Sequence, residues 1–200
     1  MVKVYGHVNS GNCYKIFLAL HQLHMPFEWI TVDAVKKETR RPEFLAKNPQ
    51  GKVPLLEIAP GQYLTESNAI LLYLAEGSNL CPVDRYQYAQ VLQWLFYEQY
   101  SHEPYIATSR YVTKFLDSPP DRQADLLRWK QPGINALEVM NSHLKTQPFF
   151  VAGQYSVADI ALYAYTHVAE EGGFDLSGYP AISAWIKRVQ QQPDFVAMQW

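Results

Sequence analysis

The chain has 200 residues and a formal net charge of -2, with 48% hydrophobic and 18% charged residues. This length and composition are typical of a folded protein with a sizeable core and argue against a disordered chain. The near-neutral charge and the lack of a Lys/Arg cluster with interleaved aromatic residues argue against binding to nucleic acid or to an anionic membrane surface.

The N-terminal segment MVKVYGH has no signal-peptide core, and no apolar run approaches the roughly 20 residues of a membrane span. The two cysteines, Cys13 and Cys81, lie far apart in sequence and do not form a metal-binding pair. His21 and His24 in HQLH have no partnering cysteine or acidic motif, so we predict no metal site. We therefore expect a reduced, cytoplasmic protein.

The first third of the chain alternates strand and helix patterns. Residues 2–6 and 27–32 predict two strands, and apolar residues recur at helical spacing between them, over 13–24. Such a β-α-β unit places its strands parallel, joined by a right-handed crossover. The unit predicts an α/β beginning to the chain.

Three further elements complete this region. RPEFLAKNP predicts a short helix, and VPLLEI and QYLTE predict a hairpin that turns at Pro60-Gly61. A helix over 66–76 is predicted to end at Gly77. The order βαβαββα is that of a thioredoxin-like domain, which we assign to residues 1–78.

No strand pattern follows, and residues 85–200 predict an all-α helical domain. A long helical pattern begins this domain and is interrupted at Pro104, where proline removes a hydrogen bond and kinks a helix. A second helix contains Pro132-Gly133, a pair that suggests the start of a new segment. SVAD predicts a capping box at the next helix, in which Asp159 has a structural role, and PAISAWIKRVQ predicts the last helix.

Three motifs of the first domain place chemical groups at helix and strand ends. SGNC, residues 10–13, begins the first helix, where backbone N–H groups favour a negative charge such as a thiolate. In GKVPLLE, a cis bond before Pro54 would turn the Val53 backbone outward to pair with an extended peptide. In TESNAI, the Ser67 hydroxyl and backbone N–H groups suit a carboxylate, whereas Glu66 suits an ammonium. Together they describe a receptor for a small peptide with a zwitterionic end and a thiol.

The motif NPQGKVPLLE…LTESNAILLYLAE, followed by a helical domain with FFVAGQYSVADI, resembles the cytosolic glutathione transferases over essentially the whole chain. Among them it resembles the bacterial type, with serine or cysteine at the start of the first helix. The resemblance implies a glutathione-binding thioredoxin-like domain, a helical domain that contributes the site of a second substrate, and a homodimer. It implies glutathione as co-substrate and no cofactor.

The resemblance also implies contacts to glutathione, carried over by position. Ser67 and Glu66 match the residues that hold the γ-glutamyl end. Val53, before cis-Pro54, matches the backbone partner of the cysteinyl unit. Lys52 matches a side chain that reaches the glycine carboxylate.

The resemblance leaves the glutathione contacts of two further regions unassigned. The loop around Thr39 and Arg40 also lies near the glycine end in the family, but it varies too much for an assignment. The family uses an asparagine close to the first helix to touch glutathione, so Asn12 is either such a contact or a helix cap.

Ser10 is the predicted catalytic residue. Related redox proteins carry CxxC at this helix start, and here Ser10 occupies the first position and Cys13 the second. A serine hydroxyl that donates a hydrogen bond to the glutathione sulfur lowers a thiol pKa that is otherwise about 8.5. The alternative is that Ser10 only caps the helix. We interpret Cys13 as a small, partly buried helix residue and Tyr5 as a packing residue of the first strand.

The electrophile site is less determined by the sequence. The candidates to line this site are aromatic residues that follow Pro104 at helical spacing, Tyr105, Tyr111 and Phe115, together with the terminal Trp200. The alternative is that these aromatic residues belong to the core. An aromatic pocket would favour hydrophobic electrophiles.

Three functions follow from this reading. The leading hypothesis is conjugation of glutathione to small hydrophobic electrophiles, a detoxification reaction. The alternatives are glutathione-dependent reduction of disulfides or peroxides, and non-catalytic binding of glutathione or other ligands.

Overall fold

The computed structural model describes residues 1–198 and divides into two compact units. Of the described residues, the first unit comprises Met1–Ser78 and 193–198, and the second comprises Asn79–Gln192. The sequence predicts that the segment after Pro193 belongs to the helical domain. It groups instead with the first unit, where the Tyr14 hydroxyl donates a 2.7 Å hydrogen bond to the Val196 carbonyl.

The first unit contains a four-stranded sheet with strand order β2-β1-β3-β4. The strands are β1 (Val2–Gly6), β2 (Phe27–Thr31), β3 (Leu55–Ala59) and β4 (Gln62–Leu64). β1 and β2 are parallel, in a register that pairs Val2 with Phe27, and β3 is antiparallel to both β1 and β4. The predicted β-α-β unit and hairpin are thus confirmed.

The helices of this unit are α1 (Gly11–Gln22), α2 (Pro42–Leu45) and α3 (Ser67–Ala75), with a 3₁₀ turn at Glu38–Arg40. α1 begins two residues before the predicted position because Ser10 caps it. α3 is followed by Gly77, whose φ of +71° is a left-handed conformation that glycine adopts without strain. The element order is that of a thioredoxin-like domain, as predicted.

β1 ends at Gly6, where α1 and β2 approach closely. A Cβ atom at this position would lie 2.9 Å from the Trp29 ring and 3.1 Å from the Cys13 sulfur. Only glycine therefore fits here, and its lack of a side chain lets the start of α1 pack directly against the sheet.

The second unit is helical. Its longer helices are α4 (Arg85–Tyr97), α5 (Glu103–Arg110), α6 (Gln123–Leu144), α7 (Val157–Thr166) and α8 (Pro180–Gln190). π-helical turns at Glu98–His102 and Tyr111–Phe115 flank α5, and 3₁₀ turns lie at Pro120–Arg122 and Ala169–Gly172. Within residues 1–198, strand pairing after β4 is limited to one isolated bridge between Val151 and Gln154.

The structure confirms the predicted interruption near Pro104 and corrects the prediction about Pro132. The first long helical pattern is interrupted by the π-helical turn before Pro104, so Pro104 stands in the first turn of α5, where a missing N–H costs little. Pro132 lies inside a continuous α6 and does not begin a new segment. The adjacent Gly133 packs against the Phe174 ring, which a Cβ atom at that position would overlap.

The core of the second unit surrounds α7, all of whose residues are buried. Ser156 and Asp159 form the predicted capping box at its start. The Asp159 carboxylate also accepts a 2.9 Å hydrogen bond from the Trp185 indole, and Trp185 is fully buried. Asp159 therefore links the start of α7 to α8. Among the described helices, none is long and apolar enough to cross a membrane.

Candidate functional site

Ser10 stands between β1 and α1 and caps the helix. Its backbone is extended (φ -84°, ψ 121°), and its hydroxyl oxygen accepts a 3.3 Å hydrogen bond from the Cys13 amide. The residue is partly exposed. Because a hydroxyl has two lone pairs and one rotatable proton, accepting the capping bond leaves the O–H group able to donate to one further partner, either the Cys13 sulfur or a ligand. The capping role is thus observed, and it is compatible with a donor role toward a ligand.

Cys13 is not exposed at all. Burial raises the pKa of its thiol to about 11, although hydrogen bonds from the Ser10 side chain and the His7 amide act to lower it. A buried neutral thiol is a poor nucleophile. These features agree with the interpretation of Cys13 as a packing residue.

Glu66 precedes α3 in a strained conformation. Its φ of 65° and ψ of 111° are unusual for a residue with a side chain, and such a backbone costs on the order of 1–3 kcal/mol. The Glu66 side chain is exposed, whereas Ser67, the first residue of the helix, is only 6% exposed. The turn thus places a carboxylate on the surface beside the start of α3, where backbone N–H groups have no acceptor within the helix itself.

A hydrogen-bonded chain of side chains joins the starts of α1 and α3. The Ser67 hydroxyl donates to the Asn12 side-chain oxygen at 3.0 Å. The Lys15 ammonium donates to the Ser67 oxygen and to the Asn68 side-chain oxygen, each at 3.2 Å. The structure therefore brings together Asn12 and Ser67, which the sequence analysis named separately.

Lys15 and Asn68 were not identified from the sequence. Lys15 is fully buried and Asn68 is 9% exposed. The available signal was a lysine inside an otherwise buried stretch of α1, next to Ile16. A lysine at such a position is unusual enough to indicate a specific role.

The loop before β3 presents Lys52 and the predicted cis-proline. The Val53–Pro54 peptide bond is cis, as expected. Lys52 is exposed, and its carbonyl accepts a 2.8 Å hydrogen bond from the side chain of Asn48, which is 2% exposed. This loop is therefore held from within by a buried amide, while the Lys52 side chain reaches solvent.

Of the two open positions near this loop, Arg40 is exposed and Thr39 is buried. Arg40 donates a 3.3 Å hydrogen bond to the Gln50 carbonyl and packs over Gly51, where a Cβ atom would lie 2.7 Å from the guanidinium. Arg40 is thus the one of the pair whose side chain is available at the surface beside the Lys52 loop.

Tyr5 packs in the core of the first unit, as interpreted from the sequence. It is 7% exposed and clusters with Val32, Phe44 and Leu55. Its hydroxyl donates to Glu57 at 2.7 Å, and burial raises its pKa. Tyr5 is therefore engaged within the domain.

The residues named for an electrophile pocket lie in the second unit. Tyr111 and Phe115 share a π-helical turn with their ring centroids 6.1 Å apart, and Tyr111 is 43% exposed. The Arg110 guanidinium lies 5.2 Å from the Phe115 ring centroid. Tyr105 lies earlier, in α5, and is partly buried. Trp200 lies outside the described residues.

No group of three or more His, Cys, Asp or Glu side chains within residues 1–198 is placed to hold a metal ion. The chemistry available at the first unit is that of hydroxyl, amide and helix N-terminal groups, with carboxylate and ammonium side chains at the margins.

Two parts of the chain match domain families. Residues 1–76 match the glutathione S-transferase N-terminal domain, and residues 105–193 match the glutathione S-transferase C-terminal domain.

Similar proteins have also been described. A crystal structure of a glutathione S-transferase from Pseudomonas fluorescens is 52% identical, with a TM-score of 0.97 over 100% of this chain and 99% of that chain. The disulfide-bond oxidoreductase YfcG of Escherichia coli is 30% identical over 92% of this chain and 88% of its own length. A maleylacetoacetate isomerase of Rhizobium meliloti is 31% identical over 92% of this chain and 89% of its own length. The chain belongs to the glutathione S-transferase family.

Proposed function

We propose that this protein is a glutathione transferase that conjugates the glutathione thiolate to small hydrophobic electrophiles. The proposal is carried by the 3.0 Å hydrogen bond between Ser67 and Asn12. This bond links the start of α1, where the Ser10 hydroxyl lies, to the start of α3, where backbone N–H groups lie. Helix starts favour anions, so a peptide with a thiolate and a carboxylate suits this pair.

In this proposal, each end of glutathione has its own partners. The α-carboxylate of the γ-glutamyl unit binds at the start of α3 beside Ser67, and the ammonium binds the exposed Glu66 carboxylate. The Val53 backbone pairs with the cysteinyl unit, as an added strand would. Lys52 reaches the glycine carboxylate.

Ser10 acts on the reacting sulfur. Its O–H donates a hydrogen bond to the glutathione thiolate, and the start of α1 adds a favourable field, so the thiol pKa falls. Each unit of that decrease corresponds to about 1.4 kcal/mol in favour of the thiolate. The thiolate then attacks an electrophilic carbon and forms a C–S bond, while a leaving group departs with its electron pair or an activated double bond takes up the charge.

The helical unit contributes the pocket for the second substrate. Tyr111 and Phe115 offer aromatic surface on one π-helical turn, and Tyr105 precedes them on α5. Aromatic walls suit small hydrophobic electrophiles.

Retention on a glutathione resin together with turnover of a chlorodinitrobenzene-type electrophile tests the proposal. We expect both. If the folded protein neither binds the resin nor consumes the electrophile, the proposal is wrong. Retention with no turnover of electrophile, disulfide or peroxide would indicate a glutathione-binding protein without catalysis.

Glutathione-dependent reduction of disulfides or peroxides is a second candidate function, favoured by the similarity to the disulfide-bond oxidoreductase YfcG. With Cys13 buried, the thiol exchange would be carried out by two glutathione molecules, which are oxidised to glutathione disulfide as the substrate disulfide is reduced. Turnover of a small dialkyl disulfide in excess of electrophile conjugation would favour this function.

We also propose a homodimer located in the cytoplasm. Phe96 and Tyr100 are 70% and 83% exposed and lie four residues apart, so they present neighbouring aromatic rings that suit a second copy of the chain. Neither Cys13 nor Cys81 forms a disulfide, which suits a reducing compartment. Light scattering after size-exclusion chromatography tests the dimer, and Phe96→Lys with Tyr100→Lys should yield a monomer.

A further inference from the structure

Lys15 is a fully buried lysine whose ammonium is directed to the start of α3. Its nitrogen lies 3.2 Å from the Ser67 hydroxyl oxygen and 3.2 Å from the Asn68 side-chain oxygen. Burying an ammonium is costly, so lysine is almost never fully buried without a specific set of partners. Two of its partners, Ser67 and Asn68, belong to the helix start at which a ligand carboxylate is proposed to bind.

The contact from Lys15 determines how the Ser67 hydroxyl can act. By donating to the Ser67 oxygen, the ammonium occupies a lone pair, so the single O–H proton must point elsewhere. In the structure it points to the Asn12 side-chain oxygen at 3.0 Å. A hydroxyl that accepts from a cation is also polarised into a stronger donor. Lys15 therefore turns Ser67 into a directed hydrogen-bond donor.

The geometry also places positive charge close to any anion bound by Ser67. A carboxylate oxygen that replaces the Asn12 side-chain oxygen as acceptor of the Ser67 O–H, at ordinary hydrogen-bond distance, lies within about 6 Å of the Lys15 nitrogen, given the 3.2 Å contact. An opposite charge at this range favours the ionised carboxylate. The N–H groups of α3 act in the same direction.

We propose that Lys15 is a specificity-determining residue for the α-carboxylate of the γ-glutamyl unit. It is a positioning residue: it acts through the Ser67 hydroxyl and through its charge. The inference rests on the proposed glutathione site and deepens it. It implies that a peptide without this carboxylate is rejected, even if its thiol and its glycine end are unchanged.

The test compares two peptides in calorimetric titrations of the full chain. One is glutathione, and the other is γ-aminobutyryl-cysteinyl-glycine, which lacks only the α-carboxylate. We expect the unsubstituted protein to prefer glutathione by at least roughly 10-fold. In Lys15→Met, which retains length but not charge, the preference should fall to less than about 3-fold. Lys15→Arg should keep it. A general disturbance of the fold would weaken both peptides equally and leave their ratio unchanged.

Lys52→Met is the matched control, because its expected partner is the glycine carboxylate, which both peptides carry. It should weaken both peptides and leave their ratio intact. If Lys15→Met does not fold, Lys15→Gln is measured in its place with the same expectation, since it keeps a donor but no charge. An unchanged ratio in the neutral variant overturns the inference and leaves the proposed function standing. Failure of the unsubstituted protein to bind either peptide overturns the proposed function itself.

Discussion

The Ser10 hydroxyl oxygen lies 3.3 Å from the Cys13 backbone nitrogen and caps α1. The same side chain therefore has two roles that a single substitution removes together: it accepts the amide N–H of the helix, and in the proposed mechanism it donates its proton to the glutathione sulfur. The two roles can be separated with two variants that both lack the hydroxyl but differ in how well they cap the helix.

We expect Ser10→Ala to lower kcat/KM for conjugation by about 10- to 100-fold, because a hydrogen bond to a charged group contributes about 1.5–3 kcal/mol. Loss of the cap should also lower the free energy of unfolding by about 1 kcal/mol. Steady-state conjugation kinetics and urea unfolding measure the two effects separately.

Ser10→Gly is the matched variant, because glycine at an N-cap costs only a few tenths of a kcal/mol relative to serine. It should be nearly as stable as the unsubstituted protein and as inactive as Ser10→Ala. If Ser10→Gly retains full activity, the hydroxyl does not act on the sulfur and serves only as a cap.

Cys13→Ala provides the converse comparison. The thiol is buried and its pKa is raised to about 11, so we expect kcat/KM to change by less than about 3-fold, with a modest loss of stability from the missing packing. Loss of activity in Cys13→Ala combined with full activity in Ser10→Ala would reverse the roles of the two residues.

The sequence allowed much of the first unit to be predicted because its signals are local. Alternation of apolar residues marks β1 and β2, Pro60-Gly61 marks the hairpin turn, and the capping box marks α7 in the second unit. Each pattern depends on neighbours a few residues away, which the sequence displays directly.

The features that were not predicted depend on tertiary contacts. The π-helical turn at Glu98–His102 is accompanied by a 2.9 Å hydrogen bond between buried His102 and Thr166 of α7. Such a turn depends on contacts between residues far apart in sequence, which the pattern of apolar residues does not show. Likewise, Lys15 is visible in the sequence, but its contacts with the start of α3 exist only once α1 and α3 pack.

Gly133 in α6 gives a prediction about packing. In an exposed helix, Gly→Ala stabilises by about 1 kcal/mol. Here a Cβ atom would overlap the Phe174 ring, so we expect Gly133→Ala to lower the free energy of unfolding by about 1–3 kcal/mol. Gly178→Ala is the control, because a Cβ at Gly178 meets no atom within 4 Å. Urea unfolding measures both, and equal stability of the two variants would contradict the close packing of Phe174.

His167, at the end of α7, is expected to make the protein less stable as the pH falls. Burial lowers its pKa to about 4, against the effect of its 2.7 Å hydrogen bond to the Tyr163 carbonyl. An unfolded histidine has a pKa of about 6.5. Between these values the unfolded chain binds a proton that the native protein does not, so the contribution of His167 to stability is present above pH 6.5 and is lost as the pH falls to 4.

His167→Gln removes the titrating ring and keeps a donor for the Tyr163 carbonyl. Its free energy of unfolding should therefore decrease less on acidification than that of the unsubstituted protein, by up to about 1.4 kcal/mol per pH unit. Urea unfolding at several pH values from 4 to 7.5 measures this. Parallel curves for the two proteins would show that His167 has the same pKa in the native and unfolded states.

Asp159, at the start of α7, changes stability with pH in the opposite direction to His167. Burial raises its pKa to about 7, although Trp185, Phe150 and Ser156 donate hydrogen bonds that lower it. An unfolded aspartate has a pKa of about 3.9. Between these pKa values the native protein binds a proton at Asp159 that the unfolded chain does not. The contribution of Asp159 to stability is therefore full below pH 4 and is lost as the pH rises to 7.

Two variants of Asp159 separate its hydrogen bonds from its charge. Asp159→Ala leaves the Trp185 indole and the Phe150 amide buried without their acceptor and should cost at least about 3 kcal/mol. Asp159→Asn retains an acceptor oxygen but does not titrate, so its stability relative to the unsubstituted protein should improve as the pH rises from 4 to 7. Urea unfolding over this range measures the difference, and a difference independent of pH would mean that the carboxyl has the same pKa in the native and unfolded states. His167 and Asp159 act in opposite directions over the same pH range, so their slopes partly cancel in the unsubstituted protein. Each single variant should therefore expose the slope of the residue that remains.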